Sequence, residues 1–349
     1  MIILAIETSC DDTCIAIVEA KGQKKPCFSI LSNIVSSQVK IHQKWGGVYP
    51  TLAKREHQKN LPLVLKRALN KAKDPKADLV AITVGPGLDP CLWTGVNFAK
   101  DLAKKLDLSI IPVNHIEAHI YANWLSPVGI SQIFPAICLV VSGGHTQLIL
   151  MKNHGNYQIL GETRDDAAGE CFDKIARILG LGYPGGPLIA AEAAKLKTKN
   201  YQLKIKLPRP MIYQRNYDFS FSGLKTAVLY NFKSQSEKIR KSKKYIQAIS
   251  AEAQQAIVDV LIKKTIRAAK DYKAKTIILG GGVVANNELR KQFMSNVKCQ
   301  MSNVKFLVPP KKFCTDNATI VAVAGYFHYL RVEIKNWQEI KAEANLRIC

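Results

Sequence analysis

Two separate segments of this chain carry the same pattern. Ile3 to Ile17 reads ILAIETSCDDTCIAI, and Ala136 to Leu150 reads AICLVVSGGHTQLIL. Laid on each other, Ser9 meets Ser142 and Thr13 meets Thr146, with apolar runs on both sides. Each segment reads as a strand, a tight polar turn and a returning strand. Each is followed by an amphipathic helix and then by an apolar strand that ends in glycines. In the first half these are Leu52 to about Ala72, with Leu61, Leu65 and Leu69 on one face, and Leu79 to Val84, closed by Gly85-Pro-Gly87. In the second half they are Ser250 to Lys270, and Thr276 to Leu279, closed by Gly280-Gly-Gly282. The pattern predicts two related α/β halves about a cleft. Their glycine turns would lie at strand C-termini, where open α/β sheets bind ligands. The 349 residues suffice for two domains. A helix pattern over Thr315 to Tyr329 is expected to pack back on the first half. The expected division is a first lobe at 1–133, a second at 134–315, and a C-terminal helix at about 316–349 that joins the first.

Asn114-His-Ile-Glu-Ala-His119 places two histidines four apart, on one face of a helix that Asn114 can cap. Two imidazoles so placed can share a metal ion, or can simply be hydrogen-bonded histidines. A third donor is needed, and Asp316, at a turn before a helix, is the candidate. Its alternative role is helix capping, which Thr315 or Asp316 would serve. Glu117 falls about 200° round the helix from His115, so it cannot act as the adjacent base of a His-Glu-x-x-His metalloprotease.

Ser142-Gly-Gly-His-Thr146 can form an anion nest, and Ser9 to Thr13 is its twin, with Ser9, Asp11, Asp12 and Thr13 as candidate phosphate-turn residues beside His145. Asp165-Asp-Ala-Ala-Gly-Glu-Cys-Phe-Asp173 opens a helix with Asp166 as its expected cap. Asp166, Gly169, Glu170 and Asp173 fall on one face, suited to sugar hydroxyls or magnesium, or else to complementing the helix dipole. No Walker A loop and no G-x-G-x-x-G occurs, and Ser222-Gly-Leu-Lys225 lacks the companions that would make S-x-x-K meaningful.

The net charge is +23, from 50 basic and 27 acidic residues. An excess this large predicts a polyanionic partner, nucleic acid rather than membrane. Basic residues concentrate at Lys195 to Arg209, at Lys233 to Lys244 and at Lys311-Lys312. The second stretch reads as a mobile, charged connection. No run of about 18 apolar residues is present, and the N-terminus lacks a basic leader, so a cytoplasmic protein is expected. The nine cysteines form no C-x-x-C pair, which fits reduced thiols, and the sequon at Asn317 would be idle.

Nine motifs in order resemble one family. They are Ile6–Thr13, Gly85–Leu88, Asn114–His119, Val141–Gln147, Asp165–Glu170, Tyr183–Pro187, Asp218–Thr226, Gly281–Asn286 and Cys314–Asn317. The family is the tRNA threonylcarbamoyladenosine transferases (TsaD), formerly labelled O-sialoglycoprotein endopeptidases (Gcp). The resemblance implies an α/β fold of the actin/hexokinase/Hsp70 ATPase type, with two duplicated lobes around a central cleft. It implies one Fe²⁺ or Zn²⁺ on His115, His119 and Asp316. It implies a threonylcarbamoyl-AMP site lined by Val140, Val141, Ser142, Gly143, Gly144, Asp173, Gly186 and Asn286. It implies transfer of the threonylcarbamoyl group to N6 of adenosine 37 in tRNA. The partners implied are a TsaB-like paralogue and a TsaE-like P-loop ATPase in bacteria, or a kinase-containing complex elsewhere. Asp12 stands where many members have Glu, and Cys14 where a small residue is usual. No residue is assigned as general base. A small-molecule kinase of the same fold and a metalloprotease are the rival readings.

Overall fold

A computed structural model describes residues 1–126, 133–196, 205–331 and 336–349. Of the basic run Lys195 to Arg209, residues 197–204 lie outside the described residues, as do 332–335 of the tail. The chain divides into two compact units. One comprises Met1–Gln132, His154–Asn156 and Pro309–Cys349; the other comprises Ile133–Asn153 and Tyr157–Val308.

The chain opens with β1 (Ile2–Glu7), β2 (Asp12–Lys21) and β3 (Cys27–Ser37), then α1 (Val39–His42) and α2 (Pro50–Ala72). There follow β4 (Leu79–Gly85), α3 (Asp89–Leu106), β5 (Ser109–Asn114) and α4 (His115–Tyr121). The second unit holds β6 (Ala136–Val141), β7 (Thr146–Asn153), β8 (Asn156–Glu162), α5 (Ala168–Ile178), α6 (Gly185–Ala194) and α7 (Ser222–Ser234). It continues through α8 (Glu237–Arg240), α9 (Lys243–Asp271), β9 (Thr276–Gly280), α10 (Asn287–Gln300) and β10 (Lys305–Leu307). The last helix, α11 (Ala318–Leu330), returns to the first unit.

The internal repeat is a repeat of topology. The first sheet runs β3-β2-β1-β4-β5 and the second β8-β7-β6-β9-β10, so each strand has its counterpart. In both sheets the first two strands pair antiparallel, and the fourth joins the first in parallel. Central strands β1, β4, β6 and β9 are almost wholly buried, which explains their unbroken apolar runs. Alternation then sorts side chains by face. Leu4, Ile6, Val80 and Ile82 join Leu61, Val64 and Ala68 of α2 and Val96 and Ala99 of α3 in one core cluster. Ala81 and Val113 instead approach Gly325 of α11, where an added Cβ would lie 2.8 Å from Ala81 Cβ.

The structure corrects several sequence expectations. The second-half helix begins at Lys243 rather than Ser250, because the Ser242 hydroxyl accepts the Tyr245 N–H and caps it. Lys233 to Lys244 is therefore not a loose connection but the end of α7, a single helical turn and the start of α9. Helix α11 begins at Ala318 and stops at Leu330. Residues 336–349 are largely irregular and lie against the end of β4, with the Glu343 N–H donated to Val84 O. Among the described residues no helix is long and apolar enough to cross a membrane.

Gly281 closes β9 at φ 94°, and a Cβ there would lie 2.3 Å from Val141 O. Gly281→Ala should therefore cost about 1–3 kcal/mol and lower the thermal midpoint. Gly143→Ala, where a Cβ meets nothing within 4 Å, should change stability by no more than about 0.5 kcal/mol and barely move the midpoint. Equal melting of the two variants would contradict the assignment of strain to Gly281.

Candidate functional site

Helix α4 is only seven residues long, and a cap sets where it starts. Asn114, at the end of β5, has extended backbone, and its Oδ1 accepts the N–H groups of Ile116 (2.9 Å) and Glu117 (3.2 Å). The helix thus begins at His115, and His115 and His119 share a face with ring centroids 4.7 Å apart. The cap of α11 is Asn317, whose Oδ1 accepts the Ile320 N–H, not Thr315 or Asp316. Asp316 is thereby freed from capping. Its Oδ1 lies 3.3 Å from His119 Nε2 and 3.7 Å from His115 Nε2. Glu117 points elsewhere, to His328 Nε2 at 2.5 Å and Arg331 at 3.5 Å.

Among the described residues neither ring nitrogen of His119 makes a hydrogen bond, although the side chain is wholly buried. A buried polar group without a partner is costly unless something outside the protein satisfies it. One ligand atom from each of His115, His119 and Asp316 lies within 4.8 Å of the others, and the group can hold a divalent metal ion. Around a cation with bonds of roughly 2.0–2.2 Å, neighbouring donors sit roughly 3–3.5 Å apart, close to the separations seen. The donor set of two imidazoles and one carboxylate leaves coordination positions open.

A further carboxylate completes the centre. Glu7, at the end of β1, lies with Oε2 3.2 Å from His115 Nδ1. It also accepts the Ser9 N–H and, at 2.7 Å, the Thr83 hydroxyl. Ser9 Oγ sits 3.2 Å from the same imidazole nitrogen. Burial disfavours the His115 imidazolium, but Glu7 and Asp316 outweigh it and push the group up to about 9. Burial alone would raise Glu7, yet His115 pulls it below its ordinary value. Burial also raises Asp11, and lifts Asp12 to about 7 against a hydrogen bond from Ser37, with Asp316 adding repulsion to both. These carboxyls make the surroundings of Asp316 electronegative, which favours a bound cation.

In the first turn, Ser9 to Thr13, one N–H and one hydroxyl are engaged by neighbouring side chains. The Ser9 N–H goes to Glu7, and Thr13 Oγ1 lies 2.8 Å from His57 Nδ1, whose Nε2 meets Cys10 O at 2.9 Å. The second turn is different. The Ser142 N–H is donated to His145 O, and the Ser142 hydroxyl accepts the His145 N–H, so the serine closes the turn. Gly143 and Gly144 are exposed, and nothing lies within 4 Å of a Cβ on either. Val140 and Val141 are buried in β6 beneath them. Asp166 is not the cap of α5. It is held by Lys174 (2.7 Å) and Lys225 (3.1 Å), while Thr146 Oγ1 accepts the Ala168 N–H. Glu170 likewise pairs with Lys174 at 2.8 Å. Asp173 accepts the Gly185 N–H at 2.6 Å and is raised by burial in spite of bonds from Gly185 and Gly186. Gly186 has open space about its Cα. The Asn286 side chain caps α10 through its oxygen and donates one N–H to Gln254 Oε1 at 2.8 Å. Ser222 serves Asp165, bonding it through both hydroxyl and N–H.

The family model described as tRNA N6-adenosine threonylcarbamoyltransferase (TsaD) matches residues 29–323. A protein of that name from Thermosipho africanus is 47% identical over 350 residues, covering 100% of both chains. Another, from Syntrophomonas wolfei, is 48% identical over 330 residues, covering 94% of this chain and 92% of its own. This chain belongs to the tRNA N6-adenosine threonylcarbamoyltransferase family. Among solved structures, HypF from T. kodakarensis matches with a TM-score of 0.58 at 14% identity. The match covers 95% of this chain but 48% of HypF, so this chain spans about half of that protein. That likeness concerns the fold, the actin/hexokinase/Hsp70 type.

Glu7 lies within the Ile6–Thr13 motif, but its contact with His115 was not readable from spacing. It stands in an apolar strand and reveals itself only where β1 ends beside His115. His57 was missed for the same reason, lying on the buried face of α2.

Three outcomes follow for this family member. Glu7→Gln, which keeps the shape and removes the charge, should weaken Zn²⁺ binding by about 10–100-fold in calorimetric titration. Unchanged affinity would remove Glu7 from the centre. Metal capture must also displace the His115 proton, so apparent affinity should climb from neutral pH to about 9 with proton release. The folded value lies above the ordinary 6.5, so in metal-free protein this proton stabilises fully below about 6.5, and the contribution is lost as pH rises through about 9. A metal-free thermal midpoint that is flat across this window would contradict the His115–Glu7 pairing.

Proposed function

We propose that this chain transfers the threonylcarbamoyl group of threonylcarbamoyl-AMP to N6 of adenosine 37 in tRNAs that read ANN codons, releasing AMP. Family membership over nearly the whole length supports the reading. The observation that carries it is the convergence of His115, His119 and Asp316 around a gap the size of one cation.

The reaction is an acyl transfer. The N6 lone pair forms a C–N bond to the carbamoyl carbon, the bond from that carbon to the adenylate oxygen breaks, and AMP leaves with the electron pair. An amine conjugated to a purine is a weak nucleophile, so alignment and carbonyl polarisation must lower most of the barrier. His115, His119 and Asp316 would hold Fe²⁺ or Zn²⁺, which when bound supplies Lewis-acid polarisation. Glu7 fixes the tautomer and direction of His115. In this reading the exposed backbone of Gly143 and Gly144 would receive the adenylate phosphate, above the buried Val140 and Val141 of β6. Asp173 holds the first N–H groups of α6, so that Gly186 presents an unobstructed surface to the ribose. Asn286 contributes by fixing the start of α10. No side chain is assigned to receive the N6 proton. The partners in this reading are a TsaB-like paralogue and a TsaE-like P-loop ATPase, acting in the cytoplasm. Neither rival gains support: the carboxylate a metalloprotease would need, Glu117, is engaged by His328.

With threonylcarbamoyl-AMP, an unmodified tRNA transcript and the partner proteins, mass spectrometry of digested tRNA should show threonylcarbamoyladenosine. His119→Ala should reduce the rate by about 100-fold or more. A competent mixture that yields no modified nucleoside would reject the proposal.

A further inference from the structure

The basic run between α7 and α9 encloses a hollow that the transfer site does not use. It has a volume of about 470 Å³ and is lined by Arg177 of α5, Gly180 just after it, Phe232 of α7, and Glu237, Arg240 and Lys241 of the α8 turn. Three cations face one carboxylate there, and that carboxylate is committed to Lys241 at 2.6 Å. The Arg240 guanidinium lies over the Phe232 ring, 5.5 Å from its centroid. Its Nε is buried and makes no hydrogen bond among the described residues. A guanidinium positioned over an aromatic ring offers a fork of N–H donors of the kind that suits a phosphodiester. The flanking sequence Lys233 to Lys244 adds to the field, with six basic residues against one acidic.

Position matters as much as charge. Arg177 is four residues after Asp173 on α5, so the two share a helix face one turn apart. The hollow therefore continues directly from the α5–α6 corner within one unit. We propose that it is a binding site for the RNA backbone, seating a phosphodiester of the tRNA next to the nucleotide that reacts. This rests on the transferase reading for the identity of the RNA. The negative charge and the repeat of phosphates match the hollow better than a lone anion would, because the flanking lysines extend past it.

The test uses the full chain and an unmodified transcript of an ANN-reading tRNA, with affinity measured by fluorescence anisotropy between roughly 50 and 200 mM salt. Arg240→Glu with Lys241→Glu should weaken binding by about tenfold or more and flatten the log–log salt slope by about 2. The neutral pair, Arg240→Gln with Lys241→Gln, should show a smaller change in the same direction, and it guards against misfolding of the reversed-charge protein. Metal content should not change. Wild-type affinity and slope in both variants would overturn the proposal, as would failure of the wild-type chain to bind the transcript. Occupation of the hollow by an acidic protein segment would give that same unchanged RNA binding. The two readings separate cleanly. Loss of RNA binding in the charge-reversed variant, with a wild type that binds RNA yet makes no modified nucleoside, sinks the transferase alone, whereas variants that modify tRNA with unaltered KM sink the hollow alone.

Discussion

A single buried carboxylate organises the first unit. Glu7 ends β1 almost without solvent contact, where a lone charge would be very costly. It is tolerated because every neighbour donates to it: the Ser9 N–H, the Thr83 hydroxyl and the His115 ring. Those donors come from the turn after β1, from β4 and from α4. One group thus ties two parallel strands to the helix that bears the histidines. The same contacts set the direction of His115 Nε2 toward Asp316. The cluster carries an excess of carboxylate over imidazolium, and His119 in it makes no hydrogen bond among the described residues; a cation would answer both.

The duplicated hairpins show how one backbone plan serves different chemistry. Ser9 and Ser142 occupy equivalent turns, but Ser9 turns its hydroxyl to an imidazole while Ser142 closes its own loop. Thr13 bonds His57, and Thr146 reaches the first free N–H of α5. The first turn is filled with side-chain contacts; the second has two glycines and remains open. Substitution at a few turn positions, with the strands unchanged, accounts for this divergence.

Much of the fold was legible because its signals are local. Buried parallel strands appear as runs such as Ile-Ile-Leu-Ala-Ile, and Asn114 marks its helix start in plain view. The spacing of His115 and His119 required no tertiary knowledge. Errors arose where a tertiary partner replaced the local one. Asp166 has the right chemistry for a cap but is drawn to two lysines, and Thr146 caps from another strand. Lys233 to Lys244 looked unstructured by charge, yet Ser242 starts a long helix inside it. Glu7 lies inside the Ile6–Thr13 motif, but its role comes from what the topology places beside it.

The first unit is discontinuous in sequence, and this has a consequence for biosynthesis. Helix α11, buried along nearly its whole length, and Asp316 just before it are translated after all of the second unit. A nascent polypeptide therefore carries its two imidazoles long before the matching carboxylate exists. Until residue 330 has left the ribosome, the sheet of β1, β2, β4 and β5 lacks the helix that covers it, and the apolar side chains beneath remain wetted. Completion of the His115–His119–Asp316 cluster is in this sense a checkpoint on chain completion, with premature termination leaving both an uncovered sheet and an incomplete donor set.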